Sequence, residues 1–254
     1  MADRLTAILF ALPQEATPFL KDFPGRKRLH LDSLKAWSLS PEWLAVCTGM
    51  GPRAAHRSLD LVARTFPSLN VVISAGFCGS LADHLQIGQA VLVQRILSDS
   101  EGRWIPFLPE PQLPQAILFT SEAPALTLIE RLAIREKTGA DIVDMESAIV
   151  ARWCQSRNVG FMGLRVVSDD CANPLPSFVF SLCGDEGIRY SKLAQILIRN
   201  PLAIRDLIRM ARNSRRAALE LARQLKALTE RLSKSSPWFN GESIPRVEPR
   251  PPNG

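Results

Sequence analysis

Short apolar runs alternate with stretches of helical spacing along the first two thirds of the chain. Thr6 to Leu12 is apolar and closed by Pro13, which predicts a buried strand. Ala36–Leu39 and Leu44–Thr48 are two further strand candidates around Ser40-Pro41-Glu42. Gly49-Met50-Gly51-Pro52 breaks the chain, and Ala54, Leu59, Leu61, Val62 and Phe66 then place a helix over Arg53–Phe66, with proline at its start. Asn70–Ala75 reads as a strand ending in a turn at Gly76-Phe77-Cys78-Gly79, and Gln89–Val93 as another strand. Leu97–Pro114 is polar and proline-rich, and is expected to be a loop or lid. Ala116–Thr120 predicts a strand, Ala125–Lys137 and Ile142–Cys154 helices, and Gly160–Val167 a strand that ends at the polar turn Ser168-Asp169-Asp170. This alternation predicts an α/β domain with a central mixed sheet flanked by helices, with ligands near the carboxyl ends of its strands.

The pattern changes after residue 195. Asn200-Pro201 opens a helix, Asn as cap and Pro in the first turn. Ile204, Leu207, Ile208, Ala211, Ala218, Leu221, Leu225, Leu228 and Leu232 follow at helical spacing, with arginines opposite. Residues after Ser233 are proline-rich and polar and are expected to be disordered. The expected organisation is an α/β domain over 1–195, an amphipathic helix over 196–232 and a tail over 233–254.

Charge sharpens this division. The net charge is +6, yet eleven basic residues face three acidic ones between Arg189 and Arg231, so that stretch carries +8 and the remainder −2. The helix could pack its apolar stripe on the core or meet anionic lipid headgroups, and peripheral membrane contact through 200–232 stays open. Nucleic-acid binding is not expected, because no aromatics interleave the basic positions. With 46% hydrophobic and 22% charged residues, the 254-residue chain is neither wholly disordered, collagen-like nor polytopic in a membrane. Its N-terminus lacks the basic start and small-residue cleavage site of a signal peptide, so a cytoplasmic location is expected. Five cysteines without a CxxC pair read as reduced thiols. His30, His56 and His84 have no partner at ligand spacing, and no metal is expected.

Candidate chemistry lies at the element ends. Gly49-Met50-Gly51 lacks the third glycine of a dinucleotide fingerprint, and neither a GxxxxGK[ST] loop nor a GxSxG elbow occurs. Taken singly, each glycine cluster is a turn after a strand. Taken together, four segments are informative: Ala11-Leu12-Pro13-Gln14-Glu15, Gly76-Phe77-Cys78-Gly79, Val143-Asp144-Met145-Glu146-Ser147 and Arg165-Val166-Val167-Ser168-Asp169. In this order and spacing they resemble the nucleoside phosphorylase and nucleosidase superfamily, over Leu5 to Phe180. The segments TGADIVDMES and LRVVSD, followed by a long basic helix, are most similar to the hopanoid-associated phosphorylase branch.

That resemblance implies a three-layer phosphorylase-type fold and cleavage of a purine N-glycosidic bond. It makes Asp169 the acid that protonates or hydrogen-bonds the base, a task promoted by partial burial. It makes Glu146 the carboxylate that accepts from the ribose hydroxyls, with Met145 packed under the sugar. Arg165 and Glu15 would manage phosphate or water. Gly49 and Arg53 are candidates for the anion site. Val143, Gly76, Phe77, Ser168 and Phe178 are candidates for substrate contact, Phe178 together with Phe180 and the 97–114 loop forming an apolar pocket. Asp144 is expected on the solvent or capping side.

One departure stands out: Phe77 replaces the small residue usual in the nucleosidases, leaving hydrolysis and phosphorolysis open. The expected substrate is adenosylhopane, with release of adenine. A methylthioadenosine/S-adenosylhomocysteine nucleosidase is the rival enzyme, and a non-catalytic nucleoside-binding or membrane scaffold the rival from another class. The resemblance further implies a homo-oligomer and no cofactor, with phosphate open as a co-substrate.

Overall fold

The computed structural model describes residues 4–32, 34–107, 113–172, 175, 176, 178, 183, 184, 187, 188, 200, 203–234 and 245–247. The chain runs β1 (Leu5–Phe10), α1 (Pro13–Lys21), β2 (Lys27–Leu31), β3 (Leu34–Ser40), β4 (Trp43–Cys47) and α2 (Pro52–Thr65). It continues through β5 (Leu69–Ser80), β6 (Ala90–Ser98), β7 (Gly102–Ile105), β8 (Gln115–Thr120), α3 (Leu128–Thr138), β9 (Ile142–Asp144), α4 (Ser147–Ser156) and β10 (Gly160–Asp169). A short ladder of β11 (Cys183–Gly184) and β12 (Gly187–Ile188), then α5 (Ala203–Lys234) and β13 (Arg246–Val247), complete it.

The strand order of the main sheet is β13-β7-β6-β8-β9-β5-β1-β4-β3-β2. Strand β10 lies parallel to β5 and antiparallel to β6, so β6, β8, β9, β5 and β10 close into a ring. This is the predicted mixed sheet, and helices cover both sides. Ala55, Leu59 and Val62 of α2 and Ala148 and Ala151 of α4 pack one face. Phe19 and Leu20 of α1 and Leu221, Leu225 and Leu228 of α5 pack the other. The second half of α5 is embedded, while in the first half Ala203 is buried but Ile204 and Ile208 remain 46% and 51% exposed.

Four expected boundaries differ from the observed ones, each for a local reason. No turn forms at Gly76–Gly79, because β5 continues to Ser80 in register with β10. Those glycines answer close approach: a Cβ on Gly76 would lie 2.8 Å from Glu15 Oε1, and one on Gly79 would lie 3.0 Å from Asp169 Oδ2. Ile142–Cys154 is not one helix. Residues 142–144 pair with β5 and β8, and Asp144 accepts the Ser147 N–H at 3.2 Å, which starts α4 there. The 97–114 stretch is partly a hairpin, since β7 pairs with β6, while residues 108–112 lie outside the described residues. The expected tail contributes a strand, with Arg246 and Val247 pairing with β7.

Candidate active site

A narrow cavity opens at the carboxyl end of β1 and beside the middle of β5, and Glu15, Gly76, Phe77, Glu146 and Arg165 all line it. Pro13 opens α1 just after β1, which places Glu15 in the first turn. There Glu15 reaches back to cap the helix: its Oε2 accepts the Leu12 N–H at 2.8 Å, and its Oε1 accepts the Phe77 N–H at 2.8 Å. The side chain is 3% exposed, and burial raises its pKa above the ordinary carboxylate value against the pull of these donors. The sequence made Glu15 equally readable as a surface residue; the fold buries it.

Glu146 enters from the segment ahead of α4. Its Oε1 accepts the Gly51 N–H at 2.7 Å, a donor presented by a backbone at φ 87° that favours glycine. Burial, reinforced by the nearby Asp144 charge, pushes the Glu146 carboxyl up to about 7. It therefore holds its proton to higher pH than an ordinary glutamate does.

Between these carboxylates stands Arg165. Its Nη2 donates to Ser74 Oγ (2.8 Å), Asp144 Oδ2 (2.9 Å) and Ser147 Oγ (2.7 Å). Its Nη1 donates to the Ser74 and Leu164 carbonyls at 2.7 and 3.0 Å, and its Nε to Asp144 at 3.2 Å. Every N–H of the guanidinium thus points at a protein acceptor, so it shapes the wall rather than offering a free fork to an anion. Asp144 is accordingly not on the solvent side. It is 8% exposed, paired with Arg165, and accepts the Thr120 hydroxyl at 2.8 Å.

Asp169 lies apart from this cavity. Its Oδ1 accepts the Ser168 hydroxyl at 2.7 Å, and its Oδ2 is in a tight ion pair with Arg131 Nη2 from α3. Burial raises its pKa, opposed first by the Arg131 charge.

The remaining expected site residues are dispersed. Ser168 and Val143 are buried beside Asp169 and Gly79, Val143 pairing directly with Gly79. Met145 is half-buried next to Glu146, and Phe178 is half-buried. Phe180 falls outside the described residues. Gly49 shapes the turn into α2 with φ 84°. Arg53 does not reach the cavity; it lines a separate outer groove of about 440 Å³ with His56, Arg57, Asp60 and Arg64. Among the described residues, no group of three or more His, Cys, Asp or Glu side chains could hold a metal ion.

Sequence reasoning missed Ser74, Ser147, Asp144 and Arg131 as parts of this end of the molecule. Ser147 and Asp144 sat inside a quoted motif, so their neighbourhood was visible. Nothing in the local pattern marked Arg131.

A strand ring with carboxylates gathered at one end of the sheet defines an α/β class of fold, in which ligands bind near the carboxyl ends of strands. The model of the phosphorylase superfamily matches residues 6–131 and 117–192, and the chain belongs to that superfamily. Its fold is similar to that of the 5′-methylthioadenosine/S-adenosylhomocysteine nucleosidase of Helicobacter pylori, with a TM-score of 0.67 and 16% identity over 91% of this chain and 100% of that one. The corresponding Neisseria meningitidis nucleosidase gives 0.68 and 15% over 90% and 99%. The futalosine hydrolase of Helicobacter pylori strain 26695 gives 0.65 and 16% over 90% and 98%. At these identities the likeness is one of fold. No curated protein matches the sequence significantly.

Proposed function

We propose that this protein cleaves the N-glycosidic bond of a purine nucleoside, with water as the nucleophile. The observation that carries this reading is the pairing of Glu15 and Glu146 in one cavity whose arginine is already neutralised. Oxygens of a ribose diol donate two hydrogen bonds, and a carboxylate such as Glu146 offers the lone pairs to receive both. Glu15, fixed by two backbone N–H groups and raised by burial, is suited to take a proton from an attacking water. A phosphate dianion would instead find no N–H to spare on the Arg165 guanidinium. Asp169 is assigned to the departing base by the resemblance of the LRVVSD segment; it lies outside the cavity lining, so the end of β10 must move toward the nucleoside for the two to meet.

The finer reading is release of adenine from adenosylhopane by a homo-oligomer working at the cytoplasmic membrane surface. It rests on the resemblance of the TGADIVDMES and LRVVSD segments. It is supported by the first half of α5, where Ile204 and Ile208 are exposed among Arg205, Arg209 and Arg212. No helix among the described residues is long and apolar enough to cross a membrane. A small thioadenosine substrate is the second reading. The observation favouring it is the tightness of the cavity, about 30 Å³ in volume. Phe77 and its neighbours must shift for either substrate.

The test is adenine release, followed by chromatography, from adenosylhopane in detergent and from methylthioadenosine, each with and without phosphate. Release from adenosylhopane alone, independent of phosphate, is the expected result. Release only from methylthioadenosine moves the protein to the second reading, a phosphate requirement overturns water as nucleophile, and no adenine from either overturns both substrates.

A further inference from the structure

Helix α3 buries an arginine and leaves most of its large apolar residues outside, with only Ile134 packing inward. Leu128, Ile129 and Leu132 are 47%, 80% and 50% exposed, while Arg131 is 1% exposed. Hydrophobic burial alone would put the leucines and isoleucine inside and the arginine in water. Something at the buried end compensates.

The partners of Arg131 identify it. Its Nε donates to the Ala125 carbonyl at 3.1 Å, ahead of α3, and its Nη1 to the Ser80 carbonyl at 3.1 Å, at the end of β5. Nη1 also reaches the Asp169 carbonyl at 3.4 Å, and Nη2 pairs with Asp169 Oδ2. One side chain therefore joins three segments and sets a positive charge against the Asp169 carboxyl. Ser168 donates to the other carboxyl oxygen.

We propose that Arg131 is a positioning residue for Asp169, aiming its carboxyl group and governing whether that group carries a proton. This rests on the base-releasing reading above, in which Asp169 meets the departing base. Burial and the adjacent Asp170 favour the protonated carboxyl, while Arg131 and the Ser168 hydroxyl favour the ionised one. Cys78 of β5 interacts electrostatically with both members of the pair, and Cys171 with Arg131, Asp83, Asp170 and Arg135. Arg131 is the largest ionising influence in that set, so its charge is the natural control.

The test follows the carboxyl carbon resonance of Asp169 through pH in the full chain, assigned by its loss in Asp169→Asn. Wild type is compared with Arg131→Gln, Arg131→Met and Arg131→Lys, beside pH profiles of adenine release. In the two neutral variants the Asp169 midpoint is expected to rise by about one pH unit or more, and in Arg131→Lys to stay near the wild-type value. The activity limb lost in Asp169→Asn moves with it. An unchanged midpoint in folded Arg131→Gln or Arg131→Met overturns the proposal. Should both neutral variants fail to fold, the Arg131→Met/Asp169→Asn double variant decides. Recovery of the fold supports a role through the Asp169 charge, and no recovery overturns it. A wild-type protein that releases no adenine would sink the base-releasing reading, while the carboxyl midpoint would still judge Arg131.

Discussion

Two buried arginine–aspartate pairs stand at the ligand-facing end of the sheet, and they are built differently. Arg165 lines the cavity and is paired with Asp144, and the two share hydrogen bonds with Ser74, Ser147 and Thr120, so the pair is a wall made of many contacts. Arg131 and Asp169 are sealed between α3 and the end of β10, and Asp169 receives one further hydroxyl, that of Ser168. A charge pair embedded in a broad network fixes shape. A pair with few other partners leaves the charge of its acid dependent on one neighbour. The same residue types thus serve geometry in one place and proton control in the other.

The sharpest way to break this comparison is to remove each acid. Asp144→Asn and Asp169→Asn both strand a buried guanidinium, and each is expected to cost about 3–5 kcal/mol in urea unfolding. Asp169→Asn should then lower adenine release the more, by a further ~10²–10⁴-fold when assayed where both variants remain folded, because Asp144 acts only through Arg165 and Glu146. Equal losses of activity in the two variants would erase the distinction. Glu15→Gln sharpens it from the cavity side. The amide keeps the shape of the carboxylate but not its basicity, so turnover should fall by about 10²-fold or more with little change in the KM for the nucleoside.

Gly76→Ala probes geometry alone. Its added Cβ would stand 2.8 Å from Glu15 Oε1, pushing the carboxylate out of line, and a loss of about 10²-fold in kcat is expected while circular dichroism stays native. The smallest effect concerns pH. The Glu146 carboxyl is raised from 4.5 to about 7, so the folded chain holds that proton more tightly than the unfolded chain. Its contribution to stability is full below about pH 4.5 and is lost as pH rises through about 7. Melting temperatures should decline across that window in wild type and decline less in Glu146→Gln. A flat wild-type curve would contradict the assigned burial.

Much of this end of the molecule was legible in the chain. Apolar runs closed by Pro13 and by the Ser168-Asp169-Asp170 turn mark two strands that reach the site, and the resemblance carried by the motifs around Glu15, Glu146 and Arg165 points to residues that line the cavity. Three things escaped, each for a physical reason. Gly76–Gly79 reads as a turn because a sequence shows a missing side chain but not the Glu15 and Asp169 carboxylates that require it to be missing. Residues Ile142–Asp144 read as helix because three residues are too few to display a strand period. Arg131 escaped because apolar periodicity points to the opposite face of α3, and only long-range pairing with Asp169 draws the arginine inward.

The double engagement of Glu15 has a consequence for descent. The carboxylate that faces the cavity also ties down the first turn of α1 and the backbone of Phe77. A lineage that stopped processing nucleosides would still be penalised for replacing this residue, because helix and strand would loosen together. Retention of Glu15 among distant homologues would therefore record selection for folding as much as for turnover. The more telling fossil of lost activity would be Gly76: an alanine there can arise by a single base change and would disarm the site.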